Sequence, residues 1–236
     1  MIDFYTYRTS NGRKVSIMLE ECDLPYHLQI VDITAGEQDD PRFRALNANG
    51  RIPVIVDHDG LGGAAITIFE SGAILMYLAE KTGRFLPADP EGRWKAIEWL
   101  MWQMGGVGPN FGQAFHFLHQ FPKDTPDNAL AYGRERYLGE VRRLCEVMDH
   151  RLAHSDYLAG DDYSIADIAN WCWVRSYEWS GIEAGDLEHL KRWRDAIRER
   201  PASQRGIAVP SRVGNLLEDD AATQKFATNA QKMVQT

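Results

Sequence analysis

Apolar positions change period repeatedly through the first 83 residues. Residues 2–7, with Ile2, Phe4 and Tyr5, read as a strand. Residues 12–23 set Val15, Met18, Leu19 and Cys22 at i, i+3, i+4 and i+7, which predicts a helix packed on one stripe. "HLQIVDI" (27–33) predicts a second strand, and 41–47 a short helix opened by Pro41. "PVIVD" (53–57) and "AITIF" (65–69) predict two more strands joined by the turn-rich "HDGLGG". "SGAILMYLAEKTG" (71–83) predicts a helix with Ser71 as its cap and Gly83 as its stop. The order β-α-β-α-β-β-α describes a small mixed sheet covered by helices, an α/β unit.

Beyond residue 92 the period is helical throughout. Segments 91–104, 126–154, 164–180 and 186–200 show amphipathic spacing. "SIAD" (164–167) carries a capping signature, and Asp186 and Pro201 bracket the last strong helix. "GGVGPNFG" (105–112) interrupts the Trp-rich stretch and predicts a kink. Between the halves lies "RFLPADPEG" (84–92), whose two prolines break any helix. All seven tryptophans fall at or after Trp94. The expected organisation is therefore a unit over 1–83, a linker over 84–92, an all-α unit over 93–205 and an extension over 206–236, polar and weakly periodic from Arg212.

Composition narrows the function. A net charge of −8 argues against a nucleic-acid partner, because neutralising phosphate needs a basic surface. Cys22, Cys145 and Cys172 form no C-x-x-C pair, which speaks against a disulfide framework and against a metal site. No apolar stretch reaches the ~20 residues of a membrane span, and the N-terminus shows no secretory pattern. The expectation is a soluble protein of the cytoplasm with no membrane partner.

Where chemistry could reside is suggested by "TSNGRK" (9–14), which ends a strand and opens a helix. Such an N-terminus presents unpaired N–H groups and about half a positive charge, and so favours an anion. Thr9 and Asn11 add a hydroxyl and a carboxamide, with Ser10 as a competitor between them. Tyr5 and Tyr7 share a strand face directed elsewhere. Capping by Asn11 and simple strand termination by Thr9 are the structural alternative.

Three stretches then occur in a recognisable order. "NGRIPVIVD" (49–57), "FESGAILMYLAEK" (69–81) and "YSIADI" (163–168), on this topology, resemble the cytosolic glutathione transferases. Within that family "TSNGRKVSIMLEE", "DHDGLGG", "WLMWQMGGVGPNFGQ" and "RERY" (134–137) are most similar to the nu-class, bacterial disulfide-bond oxidoreductase group. The resemblance implies a thioredoxin-like N-terminal domain followed by an all-α domain, a homodimer, and glutathione as co-substrate. It implies a cis Ile52–Pro53 bond with the Ile52 backbone turned to the ligand, and the γ-glutamyl group held at Glu70 and Ser71. Gln38 and Arg51 match positions at the ligand's glycine end, and Arg136 matches an arginine that reaches the disulfide ligand. Thr9 and Asn11 would stabilise the ligand's thiolate. Phe111, Phe115, His116 and Phe117 are candidates for a second-substrate pocket, with plain core as the alternative. The implied activity is glutathione-dependent disulfide reduction without a protein cysteine. Transfer of glutathione to small electrophiles, or ligand binding without turnover, are the alternatives.

Overall fold

A computed structural model describes residues 1–119 and 126–211. The end of the stretch at 113–121 and the tail from Arg212 lie outside the described residues. The N-terminal half runs β1 (Ile2–Thr6), α1 (Ser10–Glu21), β2 (Tyr26–Ile30), α2 (Pro41–Leu46), β3 (Val54–Asp57), β4 (Ile66–Phe69) and α3 (Ser71–Thr82). The sheet order is β2-β1-β3-β4, with β1 parallel to β2 and the other two pairs antiparallel. This is the expected β-α-β-α-β-β-α unit. β2 stops at Ile30, before the predicted residue 33, because Asp32 Oδ1 accepts from the Thr34 and Ala35 N–H groups at 2.8 and 3.3 Å and turns the chain.

The helical half comprises α4 (Pro90–Trp102), α5 (Gly108–His119), α6 (Asp127–Leu152), α7 (Ile165–Val174), α8 (Glu188–Arg198) and α9 (Pro201–Ile207). Between α4 and α5 the predicted kink is a π-helical turn, Gln103–Val107. Asn110 Nδ2 donates to the Gly106 carbonyl at 2.9 Å. Ser164 and Asp167 form the predicted capping box on α7. Asp186 does not cap α8, whose cap position is Leu187; its carboxylate instead takes both arms of Arg142 at 2.9 and 2.6 Å.

Pro201 does not end the helical region. It is the first residue of α9, where its missing N–H costs nothing. α9 spans position 205, so the expected boundary there falls inside an element. It packs on α1 so closely that a Cβ on Gly206 would sit 2.6 Å from the Ile17 Cα. Ser16 Oγ donates to the Gly206 carbonyl at 2.7 Å, and Arg200 holds Glu21 with two bonds of 2.6 and 2.9 Å.

α1 is thereby enclosed by α3, α7 and α9. Val15, Ile17, Met18 and Leu19 are fully buried in a core that runs without interruption into both halves through Leu75, Leu100, Trp171 and Trp193. Each such side chain contributes roughly 1.5–3 kcal/mol by leaving water. The core fixes the N-terminus of α1 against the helical half, and that junction carries the candidate site.

Candidate active site

Thr9 is the N-cap of α1. Its backbone is extended (φ −126°, ψ 160°), and its hydroxyl oxygen accepts from the Gly12 N–H at 3.1 Å. The capping alternative therefore belongs to Thr9 and not to Asn11. The hydroxyl proton stays available for a second partner. Gly12 permits the tight entry, since a Cβ there would lie 2.3 Å from Thr6 Oγ1 and 2.6 Å from the Tyr7 carbonyl. The first turn contains no acidic residue to compete with an incoming anion. Ser10 is the first helical residue.

Asn11 is held from across the molecule. Its Oδ1 accepts from the Trp173 indole Nε1 at 3.1 Å. Indole N–H only donates, so the carboxamide must turn its oxygen to Trp173 and its NH2 away. The result is two oriented donors beside the Thr9 hydroxyl at a helix N-terminus. Tyr5 packs on Phe43 with ring centroids 6.2 Å apart, and the Tyr7 hydroxyl bonds with Thr34 and Asp32, so both tyrosines are engaged elsewhere.

A second helix N-terminus lies close by. Glu70 occupies the cap position of α3 at φ 71°, ψ 115°, a left-handed value that non-glycine residues adopt only under constraint. It makes no side-chain cap bond. Ser71, predicted as the cap, is instead the first helical residue, and its buried hydroxyl accepts from Lys14 Nζ at 3.2 Å. Lys14 also donates to Gln103 Oε1 at 2.5 Å and lies 3.5 Å from Met104 Sδ. Burial pulls its pKa down to about 7, against smaller upward pulls from Cys172 and Glu70. Lys14, Gln103 and Trp173 escaped the reading of the sequence. One signal for Lys14 was present: it sits four residues before Met18, in register with the apolar stripe.

The remaining predicted residues lie around this core of the site. Gln38 is 8% exposed in a short 3-10 turn (Glu37–Asp39), its Nε2 donating to Asp39 at 3.3 Å and its Oε1 buried with no donor to it among the described residues. The Ile52–Pro53 bond is cis. Arg51 is exposed, and its carbonyl accepts from Asn47 Nδ2 at 2.7 Å. Arg136 is exposed on α6. Among the described residues, no hydrogen bond or ion pair joins Gln38 or Arg136 to Thr9, Asn11 or Ser71. Phe111 is core, 1% exposed, and Phe117 stacks on Tyr137 at 5.4 Å.

The three thiols lie in the core, all of them buried. Burial raises Cys22, pushes Cys172 up to about 11 and pushes Cys145 up to about 12, so each stays protonated near neutrality. No group of three or more metal-binding side chains occurs among the described residues. What the arrangement can do is hold two anionic groups, one at each helix N-terminus, without offering a titrating base at the first.

The sequence profile of the glutathione S-transferase N-terminal domain matches residues 10–81, and that of the C-terminal domain matches residues 113–201. The disulfide-bond oxidoreductase YfcG of Escherichia coli is 44% identical over 208 residues, covering 88% of this chain and 94% of its own length. A second E. coli disulfide-bond oxidoreductase, YghU, is 36% identical over 98% of this chain and 83% of its own. Among solved structures, a glutathione transferase from Burkholderia graminis with two glutathione molecules per subunit superposes with a TM-score of 0.83, at 43% identity over 89% of both chains. One from Pseudomonas putida, with one glutathione disulfide per subunit, gives 0.82 at 40% identity, over 89% of this chain and 92% of its own.

Proposed function

The chain belongs to the glutathione S-transferase family, and from that premise we propose that it is a glutathione-dependent disulfide oxidoreductase whose reacting sulfurs all come from its ligands. The observation that carries the proposal is the pairing of an oriented Asn11 carboxamide and a free Thr9 hydroxyl proton at the start of α1 with three buried, protonated cysteines.

Glutathione brings the thiol, and the protein favours its ionised form. A free thiol has a pKa of ~8.5, and helix N-terminal donors lower such values. The γ-glutamyl carboxylate takes the Ser71 N–H and hydroxyl at the start of α3, while Glu70 attracts the ammonium. The Ile52 backbone pairs with the cysteinyl unit in the manner of an added strand. Gln38 and Arg51 serve the glycine end, and Arg136 reaches toward a second tripeptide. Residues 1–83 then carry ligand binding, and the helical half supplies the pocket for the other reactant.

The bound thiolate attacks one sulfur of a small-molecule disulfide. That S–S bond breaks, the departing thiolate takes a proton, and a mixed disulfide with glutathione remains. A second glutathione thiolate attacks the glutathione sulfur of that mixed disulfide, forms glutathione disulfide and releases the second thiol. Two electrons pass from two glutathiones to one substrate disulfide. Thr9 and Asn11 stabilise whichever sulfur is anionic, and the rate follows thiolate fraction and access. Ligand states printed for two relatives, two glutathiones in one and glutathione disulfide in the other, suit both ends of this cycle.

Apolar exposure supports a homodimer. The edge strand β4 exposes Ile66 and Phe69, and α4 exposes Trp94 and Met101, surfaces that a second copy would cover. No described helix is long and apolar enough to cross a membrane, and a reducing cytoplasm suits both the free thiols and the co-substrate.

Initial rates at fixed glutathione on hydroxyethyl disulfide and on chlorodinitrobenzene separate the activities. The expected kcat/KM is at least 10-fold higher for the disulfide. A preference for the aromatic electrophile would make the protein a conjugating transferase, and binding without turnover of either would make it a glutathione-binding protein.

A further inference from the structure

Lys14 is the most deeply buried cation among the described residues, at 1% exposure. Arg194 meets Glu178 and Arg200 meets Glu21, whereas the largely buried Arg13 and Arg175, like Lys14, pair with no carboxylate among the described residues. Lys14 has neutral partners only, the Ser71 hydroxyl, the Gln103 carbonyl and the Met104 thioether. Burial disfavours the charged form of a lysine with no carboxylate bonded to it, and an anion arriving beside it would restore that form.

The geometry says where. Lys14 donates to Ser71 Oγ, which occupies that oxygen as an acceptor and leaves the hydroxyl proton to be donated elsewhere. Among the described residues that proton has only the Met104 sulfur, 3.7 Å away, a poor acceptor. An α-carboxylate bound at the N-terminus of α3 is a far better one. We infer that Lys14 is a positioning residue for the γ-glutamyl end of glutathione: its ammonium turns the Ser71 hydroxyl outward as a donor and supplies the counter-charge to the carboxylate bound there. This rests on the glutathione reading of the site.

The charged and titratable groups around Lys14 are few. α1 contributes its neighbour Arg13, and the β4–α3 junction contributes exposed Glu70. α7 contributes Cys172, itself influenced by Arg13 and Arg175, and neutral below pH 10. α3 and the π turn offer Ser71, Gln103 and Met104, which do not titrate. Lys14 is therefore the group near this subsite whose charge changes around neutrality, and an arriving carboxylate must favour its protonated form. Ligand and proton bind cooperatively.

S-Methylglutathione is the probe, since it lacks an ionisable thiol. Calorimetric titration of wild type and Lys14→Met between pH 6 and 9 should show about 10-fold weaker binding by the variant at pH 6. The difference should shrink toward pH 9, where wild-type Lys14 has lost its proton; the ligand's own ammonium titrates equally in both and cancels. Spectra of wild type carrying 13C-labelled lysine test the same point without a variant. One lysine should titrate near pH 7 and move up by at least one pH unit when the probe saturates the site. An unmoved midpoint, or binding by Lys14→Met within twofold of wild type at pH 6, overturns the role of Lys14 while leaving the glutathione site intact. Absence of binding to wild type overturns both.

Discussion

Asn11→Ala should lower kcat/KM for glutathione-driven disulfide reduction by about 10²-fold, the scale seen when one preorganised donor to a developing anion is removed. Asn11 is neither the cap of α1 nor part of its buried stripe, so the variant should stay folded at a cost of about 1 kcal/mol for the Trp173 N–H left without its acceptor. The loss should appear with a fall in thiolate absorbance of the bound glutathione at neutral pH, because the donor acts on ionisation of the sulfur. Asn11→Asp is a sharper probe. It still accepts from Trp173 but replaces two N–H donors by a negative charge facing the thiolate, and should cost more than alanine. Trp173→Phe removes the indole N–H that fixes the carboxamide. It should fall between wild type and Asn11→Ala, with kcat lowered about tenfold, because the donors remain but lose their orientation. Steady-state rates and ultraviolet titration of the bound thiol measure all three.

The largest stability effect is expected at Asp167. Its carboxylate is fully buried and accepts four bonds: from the Leu158 N–H (2.9 Å), Trp193 Nε1 (2.9 Å), the Ser164 N–H (3.0 Å) and the Ser164 hydroxyl (3.0 Å). Burial raises its pKa while these donors pull it down. Through them one side chain ties the start of α7 to α8 and to the loop before Ser164. Asp167→Ala leaves the donors unpaired in the core and should destabilise the protein by about 4 kcal/mol. Ser164→Ala removes the cap and one of the four donors to Asp167, leaves the other three, and should cost about 1–2 kcal/mol. Urea unfolding midpoints at unchanged slope report both. Equal effects would mean that the capping box alone, and not the junction with α8, carries the residue's contribution.

Much of this molecule is legible in its amino-acid order, because most elements announce themselves locally. The alternation of short strands with amphipathic helices, Gly83 at the end of α3 (φ 68°) and the Ser164–Asp167 box are signals whose partners lie within a few residues. What was not legible depends on distant residues. α9 was hidden because Pro201 marks a helix start as readily as a stop, and only contact with α1 makes seven residues worth ordering. Ser71 looked like a cap because its type suits one; Glu70 takes that position at positive φ, and Lys14, 57 residues earlier, claims the hydroxyl. Asn11 was chosen for its chemistry, but the orientation that makes it useful comes from Trp173, 162 residues away. The burial of Lys14 is not legible either, since a sequence does not display which stripe the rest of the fold will enclose.

Removal of all three cysteines is the most direct test of a reaction run on borrowed sulfur. In a Cys22→Ala, Cys145→Ala, Cys172→Ala variant shown to be folded and to bind glutathione, reduction of hydroxyethyl disulfide should proceed within about threefold of the wild-type kcat/KM. A fall to the uncatalysed rate in that folded, ligand-binding variant would contradict the mechanism and place the nucleophile on the protein.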